Sequence, residues 1–516
     1  MKWGILLVAG AVVALSGCNV TSRDNGTQTQ TQIQIQERTE KEDKILKTAE
    51  SFAIQTLDPH MDYQGWYTSI YGVTESLFAL DDQSKIIPLL AESFTQQENV
   101  WTIKLKDHAA FSNGKSLNAE MVIKNLRRAG QINPRYGDFD QYTYEVLNEK
   151  TFTITTDQIV PTLINDLASP ELAMVDLSAD ENMSQSLVAT GPFVISEFNP
   201  RGTVKVKRNE KYWNGQAKLD GAVFYYMPEA DTASMAMQNG ELNCYTGVTS
   251  DAAELFSQDK DSYQLVTVPA ARLQFYILNE NRLGDSVRKA IDLLVDPNEI
   301  ETYLNGTVTK TSGPFGSTAP YGQVKKPEPN PEQAKALLLK EGYSLNGEGY
   351  YEKDGEQLTV TIAYYASRSL DRVAELMQEQ LRRYGIKGFL VCEEDPDGTY
   401  IATGDFDIGL FCMIADKTGD PYYFISSTIA EDSPYNCGGF QNPQVEEKIK
   451  RLKTETDQGK RAELSNQIIQ TVIDEDAYGY VALLNKISVM RNGVTHISEM
   501  SPFDYYFLNV DSDITK

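Results

Sequence analysis

The stretch Trp101-Thr102-Ile103-Lys104-Leu105-Lys106 alternates apolar and polar residues, and Asn118 follows it at the start of a helical pattern. Strict alternation predicts a half-buried strand with one wet face. Asn118 is a favoured helix N-cap, and the apolar stripe of Val122, Leu126 and Ala129 behind it has helical spacing. A strand followed by an amphipathic helix is the unit of α/β lobes, so this stretch decides the fold class.

The same two patterns keep alternating further along the chain, beginning near Ile45. Because strands and helices alternate throughout, we expect α/β lobes with mixed sheets covered by helices, and neither a β-sandwich nor a helical bundle. The other strand signals are Phe152 with Ile154 and Val204 with Val206, and the other helical stripes are Leu370 to Leu381 ahead of Gly385, Val445 with Ile449 and Leu452, and Leu464 with Ile468 and Val472.

Length and charge narrow the class of protein. The chain has 516 residues and a formal net charge of −26, from 73 acidic and 47 basic residues. A chain of this length exceeds what one hydrophobic core supports, so two or three lobes are expected. The negative field works against any surface that binds phosphate backbones, which argues against nucleic acid as a partner.

The N-terminus carries a processing pattern around Cys18. Leu15-Ser16-Gly17-Cys18 follows Lys2 and an apolar run that is too short to span a bilayer, so the stretch resembles a bacterial lipobox. We expect residues 1–17 to be a signal peptide and Cys18 to be lipidated. The alternative is an ordinary secretory signal with an incidental cysteine. Residues 18–43 are polar and predict a flexible tether from the lipid to the fold.

Catalytic and metal-binding motifs are scarce. The three histidines form no H-E-x-x-H motif, no G-x-S-x-G elbow occurs, and Gly114-Lys115-Ser116 lacks the first glycine of a phosphate loop because that position is Ala109. We predict a binding protein without enzymatic activity, cofactor or resident metal, although a Ser/Lys or two-carboxylate site assembled from distant positions stays open. The cysteines after Cys18 are Cys244, Cys392, Cys412 and Cys437, and they form no C-x-x-C pair. Buried free thiols are favoured over the alternative, a disulfide between Cys412 and Cys437.

Several stretches, taken in order, resemble landmarks of one known family and cover nearly the whole chain after Cys18. They make the chain similar to the extracellular solute-binding proteins of family 5, the oligopeptide, dipeptide and nickel receptors of ABC importers. The stretches are Leu90-Ala91-Glu92-Ser93-Phe94, Trp101 to Leu105, Phe111-Ser112-Asn113-Gly114-Lys115, Asn118 to Val122, Ala189-Thr190-Gly191-Pro192-Phe193, Asn209-Glu210-Lys211-Tyr212-Trp213, Val287 to Ile291 and Asn330 to Leu338.

The resemblance implies a two-lobed periplasmic-binding-protein-like α/β fold. The first lobe is discontinuous, a subdomain is inserted into it, and the ligand lies in a cleft between lobes that close by a hinge motion. The implied first lobe comprises residues 44–84, 189–271 and 486–516, the inserted subdomain residues 85–188, and the second lobe residues 272–485.

The loop after the first strand is rich in aromatic residues, which give large contact area at low entropy cost. In the family this loop reaches the cleft, so Tyr63, Trp66 and Tyr67 are candidate ligand contacts; packing between the lobes is the alternative. Arg127 and Arg135 are further candidates, because an arginine can hold a carboxylate through two hydrogen bonds, although a solvated helix face is the simpler explanation for any single arginine.

An apolar strand opens into an acidic, aromatic loop at Asp416 to Tyr423. Peptide receptors of the family hold the ligand's α-ammonium with an aspartate here, so the resemblance makes Asp416, Asp420 and Tyr422 candidates, with Asp416 favoured. Gly419-Asp420-Pro421 is also turn chemistry in its own right, which is the structural alternative.

These observations predict a receptor lipoprotein that captures a short peptide and delivers it to the permease subunits and ATPases of an ABC importer. A nickel or metallophore receptor is the alternative in the same family, and a lipid-anchored hydrolase or peptide sensor is a remote one. Only His60 lies in a candidate loop, so nickel is expected to arrive with a chelator. We expect a monomer held by its lipid on the extracellular face of the cytoplasmic membrane of a Gram-positive cell.

Overall fold

The computed structural model describes residues 43–515, with the exception of residues 83, 180, 181 and 504. The predicted signal peptide, the predicted lipidation site Cys18 and the tether up to residue 42 lie outside the described residues. Within the described part the first strand begins at Ile45, as the sequence predicts.

A four-stranded antiparallel sheet, in the order β4-β5-β7-β6, forms the part of the chain that contains the opening stretch of the sequence. Its strand β5 buries Trp101, Ile103 and Leu105, which confirms the predicted alternation. Helix α2 begins where expected, because the Asn118 side chain accepts a hydrogen bond of 3.0 Å from the backbone N–H of Met121. The elements up to here are β1 (Ile45–Glu50), α1 (Gln64–Ile70), β2 (Phe78–Leu80), β3 (Ile86–Pro88), β4 (Ala91–Gln97), β5 (Val100–Leu105), α2 (Ala119–Ile132), α3 (Asp138–Gln141), β6 (Thr143–Asn148), β7 (Thr151–Thr155) and α4 (Leu163–Asp166).

An eleven-stranded mixed sheet runs through the rest of the described chain. One end of it contains β1, which pairs in parallel with β10 and β11, and antiparallel strands β9 and β8 extend this end. We call this end with its covering elements, including the four-stranded sheet, the first lobe. Its further elements are β8 (Phe193–Phe198), β9 (Val204–Arg208), β10 (Gly221–Tyr226), α5 (Ala230–Asn239), β11 (Cys244–Thr246) and α6 (Ser250–Ser257).

The other end of the large sheet, in the order β18-β17-β19, is called the second lobe. Alternate residues of its strands enter two different apolar clusters, one on each face, as the period of a strand requires. The predicted helical stripes from Leu370, Val445 and Leu464 are confirmed as α10, α13 and α14. The elements are β12 (Tyr263–Leu278), α7 (Asp285–Leu294), α8 (Pro297–Tyr303), β13 (Val308–Lys310), α9 (Pro331–Lys340), β14 (Ser344–Leu345), β15 (Tyr351–Lys353), β16 (Glu356–Gln357), β17 (Thr359–Tyr364), α10 (Leu370–Arg383), β18 (Lys387–Cys392), α11 (Tyr400–Thr403), β19 (Ile408–Ile414), α12 (Tyr422–Thr428), α13 (Pro443–Thr454), α14 (Gln458–Asp474) and β20 (Tyr478–Arg491). The last two strands, β21 (Val494–Thr495) and β22 (Asp513–Ile514), return to the first lobe and pack in its apolar cluster.

The two longest strands, β12 and β20, pair with each other and belong to both lobes. The first half of β12 pairs with the end of β20 next to β11, and its second half lies between β19 and the start of β20. Their register shifts between Pro269 and Leu273, where the chain passes from the first lobe to the second. A bulge of this kind bends a strand and interrupts its ladder, so it positions the two lobes and leaves them room to move. No helix among the described residues is long and apolar enough to cross a membrane.

Truncating Leu126 tests the role of α2 in the first lobe. Leu126 is fully buried beneath the four-stranded sheet, so Leu126→Ala is expected to lower the free energy of unfolding by about 2–5 kcal/mol. Urea unfolding followed by tryptophan fluorescence measures this, because Trp101 lies in the same apolar cluster. Lys124→Ala, at an exposed position of the same helix, is the control and should change stability by about 0.5 kcal/mol or less. Equal effects of the two variants would contradict the assignment.

Candidate functional site

Aromatic and cationic side chains of the first lobe meet at the boundary with the second lobe. The Arg135 guanidinium lies 3.6 Å from the ring centroid of Tyr63. Its Nη2 donates a hydrogen bond of 2.9 Å to Oδ1 of Asp62, and Asp62 and Arg135 line a cavity of about 600 Å³. The structure therefore brings together two residues that the sequence proposes as ligand contacts, Tyr63 and Arg135. The Tyr63 ring is 46% exposed and available to a ligand.

The other two aromatic candidates of this segment have different surroundings. Trp66 packs edge to face against Tyr505, with ring centroids 5.4 Å apart, and so contacts the C-terminal segment of the chain. The ring centroid of Tyr67 lies 6.4 Å from that of Phe52. Burial and the nearby carboxylates raise the pKa of Tyr67, and the positive charge of Arg368 acts against that rise. Tyr67 is therefore within electrostatic reach of the second lobe.

On helix α12 of the second lobe, Tyr423 faces the first lobe and Tyr422 does not. The Tyr423 ring is 44% exposed. Burial and Tyr63 raise its pKa, while Arg135 and Arg272 lower it, so charged groups of both lobes act on this ring. Tyr422 packs against the apolar core of the second lobe, and its backbone N–H donates to Asp420 Oδ1 at 2.8 Å. The sequence candidate Tyr422 is thus not brought together with Tyr63, whereas its neighbour is.

Arg272 and Arg368 are neighbouring cations of the second lobe at the same boundary. Burial and the like charge of Arg368 lower the pKa of Arg272, whose guanidinium contacts the Cys412 thiol. Within the described part of the chain neither guanidinium is paired with a carboxylate. Arg272 is partly buried, whereas Arg368 is exposed. A partly buried guanidinium beside a second positive charge and without a counterion is suited to receive an anionic group.

The backbone around Arg368 is held in an uncommon conformation. Arg368 and Ser369 both have positive φ, at 57° and 58°, and Gln274 Nε2 donates to the Arg368 carbonyl at 2.6 Å. Gln274 is fully buried, and its Oε1 has no hydrogen-bond partner within the described structure. Left-handed backbone at consecutive non-glycine residues is typical of binding sites, where surrounding contacts hold it in place.

Arg127, another sequence candidate, lies in the interior of the first lobe. Its Nη1 donates to the Asp140 carbonyl at 3.0 Å, and its guanidinium lies 4.9 Å from the ring centroid of Tyr144. These contacts join α2 to α3 and β6. The structure therefore does not bring Arg127 together with Tyr63, Arg135 and Tyr423.

The next arginine on α2 holds the only histidine of the candidate loop. Arg128 Nη1 donates to Asp58 Oδ1 at 2.9 Å and to His60 Nδ1 at 2.8 Å, and His60 Nε2 donates to the Ala173 carbonyl at 2.9 Å. His60 is fully buried, and burial lowers its pKa to about 4. Because both ring nitrogens are occupied, His60 is not available as a metal ligand.

The two acidic candidates, Asp416 and Asp420, are buried and already bound. Asp416 accepts hydrogen bonds from the Tyr321 hydroxyl and the Gly419 backbone N–H, both at 2.8 Å. Asp420 receives two hydrogen bonds from Arg461, at 2.9 and 2.7 Å, in a pair whose side chains are 4% and 1% exposed. Neither carboxylate is open to a ligand's ammonium group in this structure.

Metal ligands and reactive thiols do not gather at the site. Over the described residues no group of three or more histidine, cysteine, aspartate or glutamate side chains could hold a metal ion. Burial raises the pKa of Cys412 to about 11 and of Cys437 to about 12, so neither is a thiolate at neutral pH. The structure contains four free cysteines: Cys244 and Cys412 are buried, Cys437 is partly buried and Cys392 is exposed.

Sequence reasoning missed Arg272, Arg368 and Tyr423 as site residues. Arg272 stands directly before the apolar run of β12, and a lone arginine at that place is a usable signal. The buried face of α12 consists of Phe424, Ile425 and Thr428, so its helical period puts Tyr423 outside the core. For Arg368 we find no sequence signal, because its place depends on the turn before α10.

Comparison with known proteins agrees with this fold. The sequence model of the bacterial extracellular solute-binding proteins, family 5 Middle, matches residues 85–435. The nickel-binding protein NikA of Staphylococcus aureus is 26% identical over 459 residues, 86% of this chain and 90% of the relative. The glutathione-binding protein GsiB of Escherichia coli K12 is 27% identical over 365 residues, 67% of this chain and 68% of the relative.

The fold is also similar to solved structures. The crystal structure of a nickel ABC transporter protein from Bacillus halodurans superposes with a TM-score of 0.81 at 27% identity, covering 92% of this chain and all of that one. The ABC transporter substrate-binding protein CtaP of Listeria monocytogenes superposes with a TM-score of 0.78 at 20% identity, over 92% of this chain. The predicted two-lobed periplasmic-binding-protein-like fold is thereby confirmed.

Removing the Asp420 carboxylate distinguishes a structural role from ligand binding. Asp420→Ala leaves the buried Arg461 without a counterion, so it should lower the free energy of unfolding by about 3–5 kcal/mol, measured by urea unfolding. The control is Asp62→Ala, whose partner Arg135 is partly solvated; it should cost about 1 kcal/mol or less. A stable Asp420→Ala variant that binds its solute more weakly would instead assign the carboxylate to the ligand.

Proposed function

Because the chain belongs to the bacterial extracellular solute-binding proteins of family 5, we propose that it captures a small carboxylate-bearing solute between its lobes and delivers it to the permeases of an ABC importer. The favoured solute is a nickel ion held by a small carboxylate chelator. This assignment makes the protein a receptor without catalytic chemistry.

The Arg272–Arg368 pair is the observation that carries the proposal. An arginine binds a carboxylate through two parallel hydrogen bonds, and the bond strengthens where water is partly excluded. Burial and, after it, the positive charge of Arg368 lower the pKa of Arg272, and a ligand carboxylate placed between the two guanidinium groups would offset both. An anionic solute therefore fits the second-lobe side of the boundary.

Aromatic residues on both sides suit the remainder of the solute. Tyr63 and Tyr67 lie on the first-lobe side, and Tyr423 lies on the second-lobe side among the same charged groups. Tyrosine rings offer broad apolar contact and a hydroxyl for hydrogen bonding at small entropy cost. A compact solute with a flat or imidazole-like portion fits such walls.

Asp416 and Asp420 already have hydrogen-bond partners within the protein, which favours a metal chelate over an ordinary peptide as the solute. A peptide's α-ammonium needs a carboxylate partner when it leaves water, but Asp416 is bound by Tyr321 and Asp420 by Arg461. A chelate carries its positive charge inside, already coordinated, and presents carboxylates outward. Because His60 is occupied by Arg128 and Ala173, the metal's ligands would come from the chelator. The nickel-binding relative that matches over 86% of this chain supports the same solute class.

A short peptide with more than one carboxylate is the second candidate. The glutathione-binding relative matches over 67% of this chain, and glutathione carries two carboxylates that could each meet one arginine. Such a peptide would reach the arginine pair with its carboxylates and would leave its ammonium group toward solvent. The two candidate functions therefore share one receptor mechanism and differ only in the solute that is bound.

The location of the receptor follows from the same proposal. An importer's receptor acts outside the cytoplasmic membrane, and lipidation of Cys18 with a polar tether would keep it close to its permeases and raise its effective concentration there. A Gram-positive cell, which lacks an outer membrane to retain a soluble receptor, fits this arrangement. The receptor would work as a monomer.

Isothermal titration with the nickel–histidine complex and with glutathione tests the proposal. We expect the nickel–histidine complex to bind, and Arg272→Gln and Arg368→Gln each to weaken its binding by about 10- to 100-fold, because each removes a charged hydrogen bond to a carboxylate. Arg372→Gln, at an exposed position on helix α10, is the matched control and should bind as the unchanged protein does.

The alternative outcomes separate the two solutes. Binding of glutathione with no heat from the nickel complex would replace the chelate by the peptide. No heat from either solute, or arginine variants that bind both solutes normally, would overturn the proposed site.

A further inference from the structure

A short loop of the second lobe, Asp416–Asp420, docks onto the first lobe. Asn165 Nδ2 donates a buried hydrogen bond of 2.6 Å to the Thr418 carbonyl. The Lys417 ammonium lies 3.4 Å from the Tyr136 hydroxyl and 5.2 Å from its ring centroid. The Lys417 ammonium also lies 5.6 Å from the ring centroid of Tyr423, so the loop joins the lobes beside the proposed solute site.

Gly419 lets the loop approach closely. A Cβ atom at this position would lie 2.2 Å from the Ser84 carbonyl oxygen and 3.2 Å from the Leu80 side chain. Its φ of +73° is also one that side-chain-bearing residues rarely adopt. The fit of the loop against Ser84 therefore depends on glycine.

Asp166 brings an acidic group to this contact from the first lobe. Burial raises the pKa of its carboxyl group to about 7, Lys417 acts against the rise, and the negative charges of Asp420 and Asp138 add to it. Asp420 itself is paired with Arg461, so its charge is partly balanced. The other titratable groups that face Asp166 are Tyr136, which is bound to Glu171, and Tyr142.

We propose that the Asp416–Asp420 loop is a latch that holds the lobes together, and that Asp166 takes up a proton as the latch closes. Closing would then be favoured by mild acid, whichever solute the receptor carries. The proposal does not depend on the choice between chelate and peptide.

The direction follows from what separation of the lobes does to Asp166. When the loop leaves, water returns to the carboxylate, and Lys417 and Asp420 move away together. Burial is the largest cause of the raised pKa and Lys417 opposes it, so the pKa falls toward the ordinary value of 3.8 to the extent that the regained hydration outweighs the loss of the Lys417 charge. A group whose pKa is higher in the closed form binds more protons there, so closing is strengthened as the pH falls through about 7 and weakened above it. Between pH 8 and pH 6 the ratio of closed to open molecules should rise by up to about tenfold.

Asp416 in the same loop adds to the effect with the same sign. Burial raises its pKa to about 6, and Asp420 adds to the rise, against hydrogen bonds from Tyr321, Gly419 and Ser84. Only the part of this burial that the first lobe supplies is lost on opening. Its contribution is therefore expected below pH 6, after that of Asp166.

Small-angle X-ray scattering of the unliganded full chain tests the proton linkage. We expect the radius of gyration to fall between pH 8 and pH 6. Asp166→Asn, which is neutral at both values, should be compact at pH 8 and insensitive to this change. The matched control is Glu75→Gln: Glu75 has a pKa of about 7 through burial, but its carboxylate is held inside the first lobe by Tyr212 and Trp213. Glu75→Gln should keep the pH response.

Lys417→Met provides a second test of the proton linkage if Asp166→Asn folds poorly. Lys417 lowers the pKa of Asp166, so removing its charge should move the midpoint of the compaction to higher pH. A purely structural role of Lys417 would change compactness without moving that midpoint.

Gly419→Ala tests the geometry of the latch against Gly247→Ala. Both glycines have positive φ, but a Cβ atom at Gly247 meets nothing within 4 Å, so backbone strain is similar and only the contact with Ser84 differs. We expect Gly419→Ala to stay open at both pH values and Gly247→Ala to behave as the unchanged protein. The proposal is overturned if the unchanged chain shows no compaction, if Asp166→Asn keeps the pH response, if Glu75→Gln loses it, or if Gly419→Ala closes normally.

Discussion

The antiparallel pairing of β12 with β20 is the constraint on which the rest of the structure depends. These strands are the only ones in the described chain that belong to both ends of the large sheet. Each half of the pair is fixed by other strands, β11 on one side and β19 on the other. Register shifts between Pro269 and Leu273 and between Gln274 and Phe275 weaken the ladder where the two halves meet. Relative motion of the lobes is therefore directed through this place, and Arg272 stands within it.

Some charged side chains near the lobe boundary are paired with each other within the protein, and others have no charged partner in the described structure. Asp420 with Arg461 and Asp58 with Arg128 satisfy each other, which stabilises the fold but leaves nothing for a solute. The Arg272–Arg368 pair has no such partner in the described structure. Specificity in a site of this kind comes from the groups that remain unpaired until the ligand arrives, because only those gain a partner on binding. This division makes a carboxylate-bearing solute a better fit than a free ammonium group.

The sequence predicts the local structure well and the site less well, for a physical reason. Strand and helix patterns depend on period, so the alternation at Trp101 and the cap at Asn118 reappear in the structure unchanged. Asp416 differs, because its burial depends on Tyr321 and on the first lobe, which are distant in sequence. The identity of a neighbour across a lobe boundary has no period, so spacing cannot reveal it. Tyr423 is intermediate, since the helical period alone removes it from the core.

A net charge of −26 and the proposed preference for anionic solutes are compatible because the two effects act over different distances. In physiological salt the field of exposed carboxylates decays over about 8 Å, so it slows the approach of an anion without setting the affinity. At the boundary, charges that are partly withdrawn from water interact more strongly and are screened less. Closing the lobes brings Asp166 toward Asp420, a like charge that Lys417 of the same loop partly offsets, and it withdraws the carboxylate from water. A proton on Asp166 removes the cost of both effects at the contact itself, which is why a strongly acidic receptor can gain from mild acid when it closes.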